Sequence, residues 1–259
     1  RDFCLSRGLG DVYKRQLRFN RPEALNAIDV PMANAFLAAV QSIAADPGVR
    51  AVVLRGNGRG FMAGGDLATL RADPVQGAID ILTPLNAALQ LLAQMNAPVI
   101  AQVHGAAAGA GLSLVLMADY VIAAEGTRFN LAYINLGTSC DVGASWALPR
   151  IVGVRQALEI ALLGEAFTAD DALRLGLVNR VVPGAELDSA TTALAQRLAS
   201  GPTLAYGAMK RLMRASMDHT LPEQLAAEKD AFVHCAGTED FRAGVEAFHQ
   251  RQSPQFVGR

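Results

Sequence analysis

Val99-Ile100-Ala101-Gln102-Val103-His104-Gly105-Ala106-Ala107-Ala108-Gly109-Ala110-Gly111-Leu112-Ser113-Leu114-Val115-Leu116 is the stretch on which the rest of the chain is organised. The apolar run after Pro98 predicts a buried strand, the small residues a tight turn, and the apolar segment beyond them a buried helix. Glycine and alanine from Gly105 to Gly111 leave the backbone bare. A ligand or another backbone can then come close and meet the N–H groups that a helix start leaves unpaired. Tight packing of a helix on a sheet demands the same small residues, so both readings stand on this stretch alone.

Nucleotide and hydrolase motifs are tested directly. Leu114, not glycine, stands three residues after Gly111, so the dinucleotide pattern G-x-G-x-x-G fails. The chain has no G-x-x-x-x-G-K-[ST], and Ser113 lacks the G-x-S-x-G setting of a nucleophile elbow.

Composition bounds the rest. The chain has 259 residues, of which 51% are apolar and 18% charged, enough to bury a large core and to leave surface for other subunits. A formal net charge of −1 gives no electrostatic footprint for nucleic acid. The longest membrane-like run, Gly105 to Ala118, falls short of the roughly 18 residues a span needs and is bounded by His104 and Asp119. No cleavable signal peptide is visible. Cys4, Cys140 and Cys235 are odd in number and lack metal spacing, which predicts reduced thiols and a cytoplasmic protein. His104, His219, His234 and His249 form no ligand cluster, so no metal site is expected. The Lys210-Arg211 pair reads as a solvated helix face.

Along the chain, Arg1 to Gln16 has no apolar period and no cap. It reads as a non-native extension, introduced in cloning or sequence assembly, that replaces a native first strand ending near Phe19. Asp29 caps a predicted helix whose apolar positions Met32, Phe36, Val40 and Ile43 follow helical spacing, and Asp46-Pro47-Gly48 ends it. Ala51 to Leu54 is a buried strand that runs into a second glycine-rich loop, Arg55 to Leu67. Helical sequence from about Val75 to Asn96 follows, then strand Tyr120 to Ala124 and an irregular Phe129–Gly143 segment. Thr168-Ala169-Asp170-Asp171 starts a short helix in capping-box style, and Val178 to Val182 is a last strand. Alternating strand, loop and helix predicts an α/β fold with parallel strands and a ligand at their carboxyl ends. Beyond Glu186 the pattern is only helical, with Thr238 capping a final helix, which suggests a separate packing layer.

Asn20-Arg21-Pro22 with Leu25-Asn26-Ala27, Gly60-Phe61-Met62-Ala63-Gly64-Gly65-Asp66-Leu67, His104-Gly105 with Gly109-Ala110-Gly111, Leu148-Pro149-Arg150, and Ala172 to Val182 occur in one order and spacing. In that set the chain from Leu17 to Arg259 resembles the crotonase, or enoyl-CoA hydratase/isomerase, superfamily. The resemblance implies a spiral of repeated β-β-α turns over residues 17–198 and a helical trimerisation region over 199–259. It also implies an acyl-CoA thioester substrate with no further cofactor, a homotrimer or dimer of trimers, and neither a nucleic-acid nor a membrane partner.

Matching motif to motif puts the two backbone donors of an oxyanion hole on Gly65 and Ala110. It runs coenzyme A past Glu23, Ala24 and Leu25 and past Ala63, Gly64, Asp66 and Leu67, with Gly109 also binding substrate and the acyl group pointing toward Tyr133, Leu136 and Asp141. Two glutamates that hydratases of the family use to handle water fall on Ser113 and Tyr133 here. Neither is a base near neutral pH, given a tyrosine pKa of about 10, which disfavours simple hydration. Asp141 remains. By its position it caps the helix from Val142 to Arg150; by resemblance to the ring-opening isomerase of phenylacetate degradation it is the acid/base. That points to an acyl-CoA isomerase that shifts a double bond or opens a ring epoxide. The rivals are a hydratase-like or dehalogenase-type enzyme with Asp141 as nucleophile, and a non-catalytic acyl-CoA binder. Asp66 is expected to cap the helix after the first loop, Asp119 to be a satisfied core carboxylate, and His104 to shape its loop. Tyr133 is either pocket wall or hydrogen-bond donor.

Overall fold

A computed structural model describes residues 3–7, through their backbone alone, and residues 14–259. Strands β1 (Phe3–Arg7), β2 (Lys14–Phe19), β3 (Ala51–Gly56), β4 (Val99–Val103), β6 (Tyr120–Ala124) and β9 (Arg180–Val182) form one sheet in the order β1-β2-β3-β4-β6-β9. All neighbours from β2 onward are parallel, with Val52 opposite Val99 and Ile100 opposite Tyr120. A smaller sheet holds β5 (Ala106–Ala108), β7 (Arg128–Asn130) and β8 (Phe167–Thr168). Single bridges Ile28–Gly65 and Met62–Ala107 extend it toward the start of the chain.

Each turn of the chain repeats one course: a strand in the large sheet, a short pairing in the small one, then a helix. The helices in order are α1 (Val30–Ala44), α2 (Leu67–Ala72), α3 (Pro74–Gln94), α4 (Ala110–Met117), α5 (Ala144–Val152), α6 (Val154–Leu163) and α7 (Ala169–Arg174). Helix α8 (Leu187–Ala199) closes the open face of the sheet, and α9 (Thr203–Ala215), α10 (Leu221–Ala236) and α11 (Glu239–His249) follow. No helix of the described residues is long and apolar enough to cross a membrane. The result is the α/β crotonase fold.

Local chemistry explains the elements. Asp29 accepts from Met32 N–H at 2.9 Å and starts α1, whose buried face is Met32, Ala33, Phe36, Val40 and Ile43. Phe36 and Phe61 pack on Phe19, with ring centres 5.4 and 5.9 Å away. Thr168 and Asp171 cap each other's backbone at the start of α7. Thr238 accepts from Phe241 N–H at the start of α11.

Four expectations change. Arg1, Asp2 and residues 8–13 of the segment read as an extension lie outside the described residues. Lys14–Gln16, set aside with it, are the first half of β2, because the strand alternates Arg15, Leu17 and Phe19 inward. Arg15 hides this period, being buried against Asp46 at 2.7 Å. The turn at Ala106–Ala108 contains β5, three alanines that tertiary pairing holds extended. Asp141 does not cap a helix through its side chain: α5 begins at Ala144 behind Gly143, in a left-handed conformation.

The solvated face expected of Lys210 and Arg211 holds for exposed Arg211 and not for Lys210. Lys210 Nζ donates to Leu92 O, Ala97 O and Asp119, and Arg211 donates to Gln94 O and Asn96. Asp119 also accepts from Arg214 at 2.7 Å and Val99 N–H at 2.8 Å, so it is the satisfied core carboxylate expected of it. These contacts clamp α9 to the core where β4 begins. The tail returns as well, with buried Asp240 accepting from Val257 and Gly258 N–H.

Candidate active site

The two glycine-rich loops leave β3 and β4 side by side and bond to each other through their backbones. Phe61 N–H donates to His104 O, Met62 N–H to Ala106 O, and Ala108 N–H to Met62 O, at 2.8–3.0 Å. Ile28 ties the first loop from its other side, donating to Gly64 O and accepting from Asp66 N–H. Buried Asn26 spans the same loop, its side-chain amide donating to Asn57 O, Gly60 O and Phe61 O. His104 shapes its loop as expected, with Nε2 2.9 Å from Gly58 O.

This closeness dictates the small residues. A Cβ on Gly105 would stand 2.0 Å from Arg59 O, and one on Gly111 2.3 Å from Met62 O. Gly64 and Gly109 adopt φ of +111° and +52°, which L side chains rarely reach. A Cβ built on Gly64 would lie 3.7 Å from Ala110 N, so the two candidate donor loops touch. Gly65 precedes the Asp66 cap of α2, and Ala110 is the first residue of α4. Neither N–H has a protein partner among the described residues; for Ala110 that is the ordinary state of a donor in the first turn of a helix.

Both residues line one cavity of about 530 Å³, walled by Ala63, Leu67, Leu70, Leu82, Leu85 and Leu136 among others. Of the expected site residues, Ala63, Gly64, Gly65, Leu67, Gly109, Ala110, Tyr133, Leu136 and Asp141 meet there. Glu23, Ala24 and Leu25 do not. They form a short turn beside the cavity, joined to it where Ala63 N–H donates to Leu25 O. Asp66 is turned away as the cap of α2, accepting from Ala68 and Thr69 N–H and from Arg21. Burial works against ionising Asp66, but the Thr69, Arg21 and Ala68 donors outweigh it and hold the carboxyl below its usual range.

Opposite the donor loops, residues 131–143 form the far wall. Asp141 is the one carboxylate lining the cavity among the described residues. The Tyr133 hydroxyl donates to its Oδ1, and Ser113 Oγ from α4 lies 2.9 Å from the same hydroxyl. Burial pushes the Asp141 carboxyl above its usual value, while the bond from Tyr133 pulls it back. Burial first, then the charge of Asp141 and the hydrogen bond to it, drive the Tyr133 phenol well above its ordinary value, so it stays protonated.

This Ser113–Tyr133–Asp141 chain is what sequence reasoning missed. Ser113 stood out only as a place without glutamate and Tyr133 as pocket wall or a donor to substrate, and nothing in spacings of twenty and eight residues announces that three side chains converge. Arg71, which lines the cavity, was missed too, since a lone arginine on a short helix carries no signal.

Comparison with known proteins agrees with the geometry. Residues 15–259 match the family model described as enoyl-CoA hydratase/isomerase. The chain is 37% identical over 247 residues to the 1,2-epoxyphenylacetyl-CoA isomerase of Escherichia coli, covering 94% of each. It is 36% identical over 244 residues to the 2,3-dehydroadipyl-CoA hydratase of the same organism, again with 94% of each covered. The crystal structure of an enoyl-CoA hydratase from Mycobacterium smegmatis superposes with a TM-score of 0.92 at 33% identity, over 99% of each chain. With the spiral fold and two touching glycine-rich loops already in place, these matches make the chain a member of the enoyl-CoA hydratase/isomerase family.

Proposed function

We propose that this protein is an acyl-CoA isomerase with Asp141 as its single acid/base. The observation that carries the reading is the pairing of one cavity carboxylate, Asp141, with the free N–H groups of Gly65 and Ala110 across the same space. A thioester oxygen seated between those N–H groups makes the adjacent C–H bonds more acidic, because negative charge that develops on it is stabilised. One such donor is typically worth about 2.7–4 kcal/mol in a transition state. Asp141 takes a proton from one carbon, the bonding electrons move into the enolate, and the same proton is returned at another carbon. A double bond has moved and no water is consumed, so one base suffices.

The resemblance puts Ser113 and Tyr133 where hydratases of the family carry two glutamates, which supports isomerisation over hydration. The same arrangement accommodates opening of an aryl epoxide to an oxepin, the chemistry suggested by likeness to the E. coli epoxide isomerase. Coenzyme A would run past Glu23–Leu25 and Ala63–Leu67, leaving the acyl group among Leu70, Leu82, Leu85 and Leu136.

Asp141→Asn tests the reading. It is expected to cut isomerisation of 2-enoyl, 3-enoyl or aryl-epoxide thioesters by about 10²- to 10⁴-fold while acyl-CoA binding stays within a few fold. Full activity in the variant overturns the assignment. A covalent adduct trapped on Asp141 makes it a nucleophile instead, and binding without turnover of any thioester by the wild type makes the protein a binder.

Three copies, or two such trimers, are proposed as the working assembly. The support is apolar surface left open on the later helices: Val154, Leu158 and Leu162 on α6, Met209 and Met213 on α9, and Leu221 and Leu225 on α10 are each more than half exposed. Light scattering that gives a monomer at micromolar concentration overturns it.

A further inference from the structure

Ser113 is fully buried on α4, Tyr133 stands on the far wall and Asp141 eight residues on, so the three belong to two separate segments of the spiral. Their hydroxyls and carboxylate nevertheless form one line. The phenol has one proton, and it goes to Oδ1 of Asp141. Ser113 is then the donor across the 2.9 Å gap to the phenol oxygen, its single proton shared between that oxygen and the more distant Gly109 O at 3.3 Å. The line therefore begins at Ser113, on the first turn of the helix that starts at Ala110. The backbone at both ends of the wall is set in the left-handed region, with φ of +54° at Ala132 and +52° at Val142. Such residues persist only where surrounding contacts over-determine them, and the Tyr133–Asp141 bond is one such contact.

We propose that Tyr133 is a positioning residue for the proton transfer, its hydroxyl held by Ser113 and occupying Oδ1 of Asp141 so that Oδ2 alone takes up and returns the substrate proton. This rests on the isomerase reading and deepens it. With Oδ1 engaged, the carboxylate cannot rotate to present either oxygen, and proton uptake and return are confined to one atom on one face of the acyl group. The phenol keeps its own proton throughout: the C–H proton moves to Oδ2, the electron pair of that bond enters the enolate, and the proton then leaves Oδ2 for the second carbon. The titratable groups lining the cavity are Arg71, Tyr133 and Asp141. Tyr133 is the one of the other two that bonds to Asp141, so removing its hydroxyl raises the carboxyl further by taking away a donor to the ionised form.

Tyr133→Phe and Ser113→Ala are compared with the wild type by three readings: the carbon NMR titration of the Asp141 carboxyl, assigned by its loss in Asp141→Asn; kcat and KM for isomerisation; and hydrogen exchange of acyl-CoA in heavy water. Tyr133→Phe is expected to move the Asp141 midpoint up and to lower kcat by about 10- to 100-fold, the scale of a misplaced catalytic group, with KM within about twofold and the melting temperature nearly unchanged. Ser113→Ala is expected to do the same more weakly. A midpoint that stays put, or a kcat equal to that of wild type, overturns the positioning role even if the enzyme isomerises. A midpoint that moves in a protein that neither exchanges nor isomerises any thioester overturns the isomerase reading, and with it the role in transfer, while the tyrosine–aspartate contact stands.

Discussion

The loops that carry Gly65 and Ala110 are fixed by long-range backbone pairing, in which residues 28, 61–66 and 104–108 bond to one another across three turns of the spiral. The wall that carries Asp141 is held otherwise. Its own backbone bonds are local, Tyr133 to Leu131, Asn135 to Ala132 and Gly137 to Ile134, and its ties to the core run through side chains such as Tyr133 to Ser113. A ladder of backbone bonds locates a donor to within the precision of the fold and is indifferent to side chains, provided they are small. A side-chain tether locates one atom of one carboxylate and can be altered without touching the fold. Stability and activity should therefore fall together in the loops and separate in the wall.

The largest effect expected of that contrast is at Gly111→Ala. Its Cβ would meet Met62 O at 2.3 Å, backbone that cannot swing aside. Overpacking of this kind costs about 1–3 kcal/mol, and displacing the Ala110 donor should lower kcat by about 10²- to 10³-fold. Urea denaturation and steady-state kinetics on the same preparation read both. Normal stability with lost activity would place the loops in the same category as the wall and dissolve the comparison.

A smaller effect is a pH dependence confined to the wall. The folded-state pKa of Asp141 is raised, chiefly by burial. As the proposed base it must be ionised, so kcat/KM is expected to fall toward acid through a midpoint above the ordinary 3.8. The stability sign is the reverse. The fold favours the neutral carboxyl, so the stability it contributes is fully present below the unfolded-state pKa and is lost as pH rises through the folded-state value. Asp141→Asn should remove that slope from a plot of unfolding free energy against pH; an unchanged slope would show that Asp141 is not the group responsible.

The contrast also explains what could be read from the residues alone. Asp29, Thr168 and Thr238 act within three positions of themselves, so their caps are visible in the sequence, and glycine at close-approach positions leaves an equally direct mark in Gly64, Gly105 and Gly111. The close approach of the two glycine-rich loops was legible for that reason. Strand β5 was not, because three alanines have no strand preference of their own and are extended only by their partners. Lys210 looked solvated because its carboxylate, Asp119, is 91 residues away. Ser113, Tyr133 and Asp141 gave the same difficulty at the site itself: each was visible as a residue, and the bond between them depends on where two turns of a spiral end.

The smallest effect expected is also the one most particular to the wall. Ala132 holds φ of +54° immediately before Tyr133. A non-glycine residue there costs about 1–2 kcal/mol, and glycine in its place loses about 0.5–1 kcal/mol of backbone entropy, so Ala132→Gly should leave the protein equally stable or slightly more so. Activity should move the other way. The left-handed alanine narrows the directions in which the Tyr133 ring can leave its turn, and glycine widens them, so the phenol spends less time on Oδ1 of Asp141. A modest fall in kcat with an unchanged or higher denaturation midpoint is the expected pair of readings. If kcat holds, the tether between Ser113 and Asp141 needs no help from the backbone beneath it; if stability falls, the strain at Ala132 is matched by contacts in the wall that tie it to the core as firmly as the donor loops.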